Sequence, residues 1–340
     1  MTIGETMNGP LFLLKNLRHV LRTVVNVSLY LLPFALLGCQ NNAPPTIAVI
    51  PPTTGVMMWE SEHAGAETAA RQIGVHIYWN GPTREDDVER QIAMVEDVIR
   101  RKDKGLILAP DQALALITPI HHVLAHGIPT VVVGSSLTIP AGGRLCYVLN
   151  DDVASGRLAA ERIGSILHGR GSVAILGLDQ DIRGIFVRTR SFEEVLAKNY
   201  PDIRIIEERN GAFNEPQARE VTEEVLARHP KIDAIFALTS VATRGAYLVL
   251  KARGLTGKVL IVGSGQELDM LADVKNGGID SVLIENTWQM GYQAVQILHD
   301  LSAGRPVRDV TMLTPLLVTA GMVDKLYSTR WLDGAWGPPS

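Results

Sequence analysis

The chain has 340 residues, of which 46% are hydrophobic and 20% charged, and its formal net charge is −4 at pH 7. This composition is that of an ordinary globular protein, and the chain is long enough for two domains. A mildly acidic chain without clusters of Lys and Arg is a poor candidate for binding nucleic acid. Because no apolar run after residue 38 reaches about 18 residues, we expect no further membrane span.

The first 38 residues have the features of a secretory signal. Lys15, Arg18 and Arg22 precede a nearly uncharged apolar run over residues 24–37. At about 1.5 Å per residue, this run is too short to span a bilayer comfortably. A basic segment followed by a short apolar run and a small residue is typical of a secretory leader.

The run ends in Leu-Leu-Gly-Cys, which resembles the lipobox of bacterial lipoproteins. That resemblance implies that residues 1–38 are removed as a signal peptide and that Cys39 then carries a lipid anchor. Residues 39–45 would form a polar tether before the first strand. Two alternatives remain: Cys39 is an ordinary buried cysteine, or it forms a disulfide with Cys146.

Beyond the tether, short β-branched runs alternate with helical stretches. In the second predicted helix, Val88, Ile92, Val95 and Ile99 recur at intervals of four, three and four residues, which is a helical period. The predicted elements of the first half are, in order, strand 46–50, helix 61–73, strand 75–79, helix 85–101, strand 106–110, a helix ending near 126, and strands 129–134 and 146–149.

The second half repeats this order. Asn214, Pro216 and Gln217 together predict a helix start, because Asn is a good N-cap, Pro is tolerated in the first turn and Gln completes a capping box. The predicted elements are, in order, helix 151–167, strand 172–176, helix 185–199, strand 203–207, a helix from about 214, strand 233–238, a helix to 253, strand 258–263, helix 268–275, strand 280–285 and helix 287–303.

This alternation predicts an α/β protein with parallel sheets covered by helices on both faces. The continuous apolar runs VVV, LIL and VLIV are typical of strands buried on both sides. Two similar halves indicate two doubly wound domains. Because ligands of such sheets bind beyond the carboxyl ends of the strands, we expect a site in a cleft between the two domains.

No assembled catalytic group is evident in the sequence, which has neither a GxxxxGK[ST] motif nor a GxSxG motif. His122 and His126 lie four residues apart on a predicted helix, but no acidic or cysteine partner is fixed near them, so we expect no metal site. The acidic pairs at 86–87 and 151–152 begin predicted helices, where carboxylates stabilise the helix dipole. We therefore expect a protein without enzymatic activity, cofactor or bound metal.

Aromatic residues make up only 5% of the chain, and two of them lie between a predicted strand and a helix. Trp59 follows the first strand, and Phe213 lies in GAFNEP. Each either anchors its loop on the domain or stacks on one face of a ring-shaped ligand. Arg188, in FVRTRSF, is either a surface charge or a bidentate donor directed into the cleft.

The order of landmarks over residues 46–320 resembles that of type I periplasmic binding proteins of the ribose/galactose class, the sugar-binding components of ABC importers. The resemblance implies two Rossmann-like, doubly wound lobes that close over ligand by hinge bending. Lobe one would comprise 46–149 plus 286–310, and lobe two 150–285 plus 311–330. The landmarks are TIAVI, KGLILAP, GIPTVVVG, YVLNDDVASGRLAAERI, VRTRSFEEVL, DAIFALTSVATRGAYLVLKARG, VLIVGSGQ and IENTWQMGYQAVQIL.

Three crossing strands would join the lobes, near 149–152, 283–286 and 311–315. At matching positions, the resemblance implies that Trp59 stacks on the sugar ring, that Arg188 donates to ring and hydroxyl oxygens, that Phe213 is the aromatic of lobe two, and that Asp152 lies at the hinge.

Four further expected ligand-binding residues depart from the family pattern. Ser135 lies in Gly-Ser where the family often has Asp-Arg or Asp-Ser, and Thr239 replaces an Asn. Gln266 follows a glycine that replaces an Asp, and Glu285 replaces the hinge Gln. Because sugar sites use carboxylates that accept several hydroxyl hydrogen bonds, these changes favour a ligand that is larger, less hydroxylated or partly apolar.

These features predict an extracytoplasmic, lipid-anchored, monomeric solute-binding protein that delivers a sugar-like ligand to an ABC permease by hinge closure. The alternative is a sensor with the same fold in a signalling or chemotaxis system. A transcription repressor of this fold is disfavoured because a signal sequence occupies the place of its DNA-binding domain.

Overall fold

The computed structural model of the protein describes residues 44–84, 86–180, 182–211 and 214–326. Cys39, the predicted signal peptide and Phe213 lie outside these ranges. Among the helices of the described ranges, none is both long and apolar enough to cross a membrane.

The first lobe is built on a six-stranded sheet covered by helices. Its elements are β1 Thr46–Ile50, α1 Met57–Ile73, β2 His76–Trp79, α2 Val88–Arg101, β3 Gly105–Leu108, α3 Ile117–Ala125, β4 Thr130–Gly134, β5 Leu145–Asn150, α9 Thr287–Ser302 and β11 Val310–Leu313. All neighbouring strands of the sheet are parallel, in the order β11-β5-β4-β3-β1-β2. Alternate residues of β1 face opposite sides: Ile47 and Val49 pack under α1 and α9, and Ala48 and Ile50 under α2 and α3.

The second lobe has its own six-stranded sheet. Its elements are α4 Asp152–Ile166, β6 Arg170–Leu178, α5 Arg183–Asn199, β7 Asp202–Asn210, α6 Glu215–Arg228, β8 Ala234–Ala237, α7 Ser240–Ala252, β9 Leu260–Ser264, α8 Leu268–Lys275, β10 Ser281–Ile284, β12 Leu316–Thr319, a 3₁₀ turn Ala320–Met322 and α10 Val323–Leu326. The strand order is β12-β10-β9-β8-β6-β7, and among these strands only the pairing of β12 with β10 is antiparallel. Helices α4 and α5 cover one face, and α6, α7 and α8 cover the other.

The chain passes between the two sheets three times: after β5, after β10 and between β11 and β12. The predicted fold, two doubly wound lobes joined by three crossings, is therefore confirmed. Residues 311–313 were expected in lobe two, but β11 pairs with β5 along its length. The third crossing thus comes only after Leu313.

Most predicted elements are present with boundaries shifted by a few residues, and the main difference is at the first helix. Helix α1 begins at Met57 rather than near Ser61, so Trp59 lies in its first turn and not in a loop. The residue before it, Val56, makes no side-chain cap, so the usual sequence signal for a helix start is missing. At α6, by contrast, Asn214 accepts a hydrogen bond from the Gln217 N–H at 3.1 Å, as the sequence predicts.

Helices α1 and α9 touch through two glycines. A Cβ placed on Gly65 would lie 1.9 Å from the carbonyl oxygen of Trp288, and one on Gly291 would lie 2.0 Å from that of Glu62. The two backbones are therefore in direct contact. This contact fixes the start of α9, the segment that follows the second crossing, against lobe one.

Candidate ligand site at the hinge

Most of the predicted site residues lie beyond the carboxyl ends of the parallel strands. Asp152 follows β5, and three residues of lobe two follow β8, β9 and β10, namely Thr239, Gln266 and Glu285. Because β10, β9 and β8 are neighbours in the sheet, these ends lie side by side. Arg188 reaches the same region from α5.

Arg188 is the centre of this region, and it is only 5% exposed. Its Nε and Nη2 donate to Asp152 Oδ1 at 3.1 and 2.7 Å, and Nη2 also donates to Glu285 Oε1 at 2.5 Å. Nη1 donates to the Leu238 carbonyl oxygen and to Ser264 Oγ, both at 3.4 Å. Since a guanidinium has five N–H groups, every donor of Arg188 has a partner within the protein.

The charges of this cluster are held in a buried environment. Burial alone would lower the pKa of Arg188, but the carboxylates of Glu285 and Asp152 raise it above its ordinary value, so the guanidinium stays charged. Burial raises the pKa of Asp152, and the nearby Glu285 adds to this, although Arg188 opposes it. Two carboxylates thus share one guanidinium.

A further hydrogen bond links the ends of the two sheets. Asn150, the last residue of β5 in the first sheet, donates through Nδ2 to Glu285 Oε2 at 2.5 Å. Glu285 follows β10 in the second sheet, so this bond connects the first crossing with the second. Asn150 was not among the predicted site residues, although it directly precedes the acidic pair at 151–152 in the sequence.

The adjacent residues Asp151 and Asp152, at the first crossing, have different structural roles. Asp151 caps α4, because its Oδ1 accepts from the Ala154 N–H at 2.9 Å, whereas Asp152 turns to Arg188. A dipole-stabilising role was predicted for both members of the pair, but the contact with Arg188 distinguishes Asp152. The approach of α5 requires Gly184, since a Cβ there would lie 2.6 Å from Asp152 Oδ2.

Trp59 is buried in lobe one, with 8% exposed area, and packs within the core under α1 and α9. Its Cη2 lies 3.8 Å from the place of a Cβ on Gly134, at the end of β4 just before Ser135. Its Nε1 is buried and has no hydrogen-bond partner among the described residues. Gly134 has φ +74°, a backbone conformation that favours glycine, at the position where the family resemblance implies an aspartate.

Two of the polar residues of lobe two that were predicted to bind the ligand already have hydrogen-bond partners within the protein. Thr239 Oγ1 accepts from the Ala242 N–H at 3.1 Å and so caps α7. Gln266 is 4% exposed, and its Nε2 donates to Thr287 Oγ1 at 3.2 Å. Thr239 and Gln266 therefore stabilise the ends of α7 and α9 around the site.

The predicted histidine pair is distant in sequence from this cluster. His122 Nδ1 lies 2.9 Å from Glu96 Oε1, so the fold supplies an acidic neighbour that the sequence did not show. Across the part of the chain that the structure describes, no group of three or more His, Cys, Asp and Glu side chains could hold a metal ion. Cys146 is buried with a free thiol.

The model of the periplasmic binding protein domain family matches residues 47–306. The chain belongs to this family. The prediction of a type I periplasmic binding protein is thus confirmed, and with it the prediction of a binding protein rather than an enzyme.

Individual relatives match across most of their length. The D-allose-binding periplasmic protein of Escherichia coli is 25% identical over 272 residues, which are 78% of this chain and 87% of the relative. The ribose import binding protein of Bacillus subtilis is 24% identical over 310 residues, 88% of this chain and 98% of the relative.

Solved structures have the same fold. A periplasmic solute-binding protein of an ABC transporter from Actinobacillus succinogenes, with bound D-allose, has a TM-score of 0.77 at 25% identity, over 83% of this chain and 99% of that protein. A carbohydrate transporter solute-binding protein from Agrobacterium radiobacter, in complex with D-arabinose, also has a TM-score of 0.77, at 22% identity over 84% and 97% of the two chains.

Proposed function

We propose that the protein is an extracytoplasmic, lipid-anchored solute-binding protein that delivers a sugar or sugar-like molecule to an ABC permease. The observation that carries this proposal is the polar cluster of Asn150, Asp152, Arg188 and Glu285, which lies where two crossings meet between the lobes of a periplasmic binding protein fold. A ligand held beside this cluster contacts both lobes. Closure about the crossings would then enclose it.

A sugar-like ligand is supported by the chemistry of the cluster and by the relatives. The names of the relatives specify D-allose and ribose as what those proteins bind. Here, Glu285 has two oxygens that each accept one hydrogen bond, which leaves further lone pairs for ligand donors. Hydroxyl groups are such donors.

The carbohydrate test begins with protein from which any co-purified molecule has been removed by unfolding and refolding. A panel of neutral hexoses and pentoses that includes D-allose and D-ribose is screened by thermal shift, and positive compounds are measured by calorimetry. We expect at least one saturable, stoichiometric binder. A correctly refolded protein that binds no member of the panel would contradict a carbohydrate ligand.

Membrane attachment has its own test, since it depends on residues outside the described ranges. The family is periplasmic, and the Leu-Leu-Gly-Cys string precedes the proposed mature start at Cys39. We expect the protein in the membrane fraction, with an acylated N-terminal cysteine by mass spectrometry. In a Cys39→Ser variant we expect release of the protein from that fraction. An unmodified mature N-terminus at another residue would contradict the anchor.

Delivery to a permease is tested in cells of the source organism. Deletion of the gene is expected to abolish uptake of the radiolabelled sugar found in the panel, and the wild-type gene is expected to restore it. If uptake is unchanged while the protein still binds that sugar, the ligand-sensing alternative is favoured over transport.

A further inference from the structure

The hinge end of the site offers hydrogen-bond acceptors rather than donors. All five N–H groups of Arg188 are used within the protein, and one N–H of the Asn150 amide donates to Glu285. Glu285 accepts two hydrogen bonds, one on each oxygen, whereas a carboxylate has about four acceptor positions. A ligand group that binds to the remaining acceptor positions of Glu285 must therefore donate.

The same cluster has a surplus of negative charge. Asp152 and Glu285 both contact the single guanidinium of Arg188, and Arg188 is the only cation paired with either carboxylate among the described residues. A buried charge without compensation is unfavourable, so a cation from the ligand would be stabilised there.

Glu285 is the member of the cluster that reaches solvent. Its side chain is 21% exposed, compared with 7% for Arg188 and 11% for Asp152. A ligand entering between the lobes therefore meets the carboxylate of Glu285 before it meets the guanidinium. The accessible charge at this end of the cleft is negative.

We propose that the cleft selects a sugar-like ligand that carries an ammonium group, and that Glu285 is the residue that selects it. An ammonium group has three donors, no acceptor and one positive charge, which matches both the unused acceptor positions and the surplus charge. A neutral hydroxyl supplies a donor without the charge. A ligand carboxylate supplies only acceptors and a like charge. This inference rests on the proposed function and specifies the ligand class of the same site.

Matched pairs of ligands test the inference. D-Glucose, D-galactose and D-mannose are each compared with their 2-amino counterparts and with D-glucuronate, by calorimetry at a pH below the pKa of the amines. N-Acetyl-D-glucosamine serves as the uncharged control for glucosamine. We expect an amino sugar to bind about tenfold to a hundredfold more tightly than its neutral counterpart, as a charged hydrogen bond implies, and glucuronate not to bind.

A Glu285→Gln variant is expected to reduce this preference at least tenfold, because the amide keeps the size of the side chain and removes its charge. The ratio of the two affinities within one variant does not depend on how much of the protein is folded. The matched control is Glu161→Gln. Glu161 is half exposed on α4 and, among the described residues, is paired only with Arg157, so we expect the preference for the amine to be unchanged there.

The outcomes separate this inference from the proposed function. Binding of a neutral sugar, D-ribose and D-allose included, with equal or weaker binding of every amino sugar would overturn the inference and leave the proposed function intact. An amine preference that persists in Glu285→Gln would overturn the role of Glu285. If no sugar of either kind binds, both the carbohydrate function and the inference fail.

Discussion

At the scale of single residues, Glu62 is the most unusual side chain of the first lobe. It is fully buried in α1, and neither carboxyl oxygen has a hydrogen-bond partner among the described residues. Burial raises its pKa to about 8. The carboxyl group is therefore protonated in the folded protein at neutral pH, although it is ionised in the unfolded chain.

The protonation of Glu62 predicts a pH dependence of stability. Between about pH 4.5 and 8 the unfolded chain has lost this proton and the folded protein keeps it, so the free energy of unfolding falls as pH rises through this range. The upper limit of the loss is about 4–5 kcal/mol above pH 8. In Glu62→Gln we expect this loss to be absent, so the variant gains stability relative to wild type between pH 5 and pH 8, measured by urea unfolding. A constant difference between the two proteins across this range would contradict the raised pKa.

Replacement of Arg188, unlike that of Glu62, is expected to lower the stability of the protein. Its removal in Arg188→Met leaves the buried Asp152 and the partly exposed Glu285 without a cation, and we expect a loss of about 3–5 kcal/mol in the free energy of unfolding at pH 7. The triple variant that adds Asp152→Asn and Glu285→Gln is expected to recover most of this loss. Arg190→Met, on the exposed side of the same helix, is the control and is expected to change stability by less than about 1 kcal/mol. Similar losses in the two single variants would contradict the structural role of Arg188.

At the scale of secondary-structure elements, the contact between α1 and α9 depends on glycine. A Cβ on Gly291 would meet backbone atoms, which cannot move aside as a flexible side chain can. We expect Gly291→Ala to lower the free energy of unfolding by about 1–3 kcal/mol, because the two helices must move apart to accommodate the added methyl group. Gly321→Ala is the matched control, since nothing lies within 4 Å of its added Cβ. Equal thermal stability of the two variants would contradict the close contact.

The strands and helices could be predicted where the sequence pattern was local, whereas the candidate ligand site could be predicted only in part. Apolar periodicity and continuous β-branched runs located the strands and helices, but α1 starts without a capping side chain and its first turn was missed. Arg188 was recognised as a site residue, whereas its partners within the protein were not. Its partners are 36 and 97 residues away in sequence, and Asn150 is 135 residues from Glu285, so only the folded chain shows that every donor of Arg188 is already used.

At the scale of the whole molecule, the polar cluster joins the two lobes at their crossings. The hydrogen bond from Asn150 to Glu285 runs from the end of a strand in the first sheet to the end of a strand in the second. Glu285 in turn binds Arg188, which is anchored to α4 through Asp152. The angle between the lobes is therefore coupled to the same carboxylate that is proposed to contact the ligand. Ligand binding and hinge position would then influence one another reciprocally.

Removal of the Asn150 side chain tests this coupling. In Asn150→Ala we expect the ligand-free protein to open more widely, because the link between the first and second crossings is lost. Small-angle X-ray scattering should then give a larger radius of gyration than for the wild type. The affinity for a sugar that the wild type binds is expected to fall about tenfold or more, since the bond involves a charged acceptor. Asn276→Ala, at the exposed end of α8, is the control, for which we expect no change in either measurement. If Asn150→Ala and Asn276→Ala give the same scattering profile and the same affinity, the hydrogen bond between the crossings does not govern the opening of the lobes.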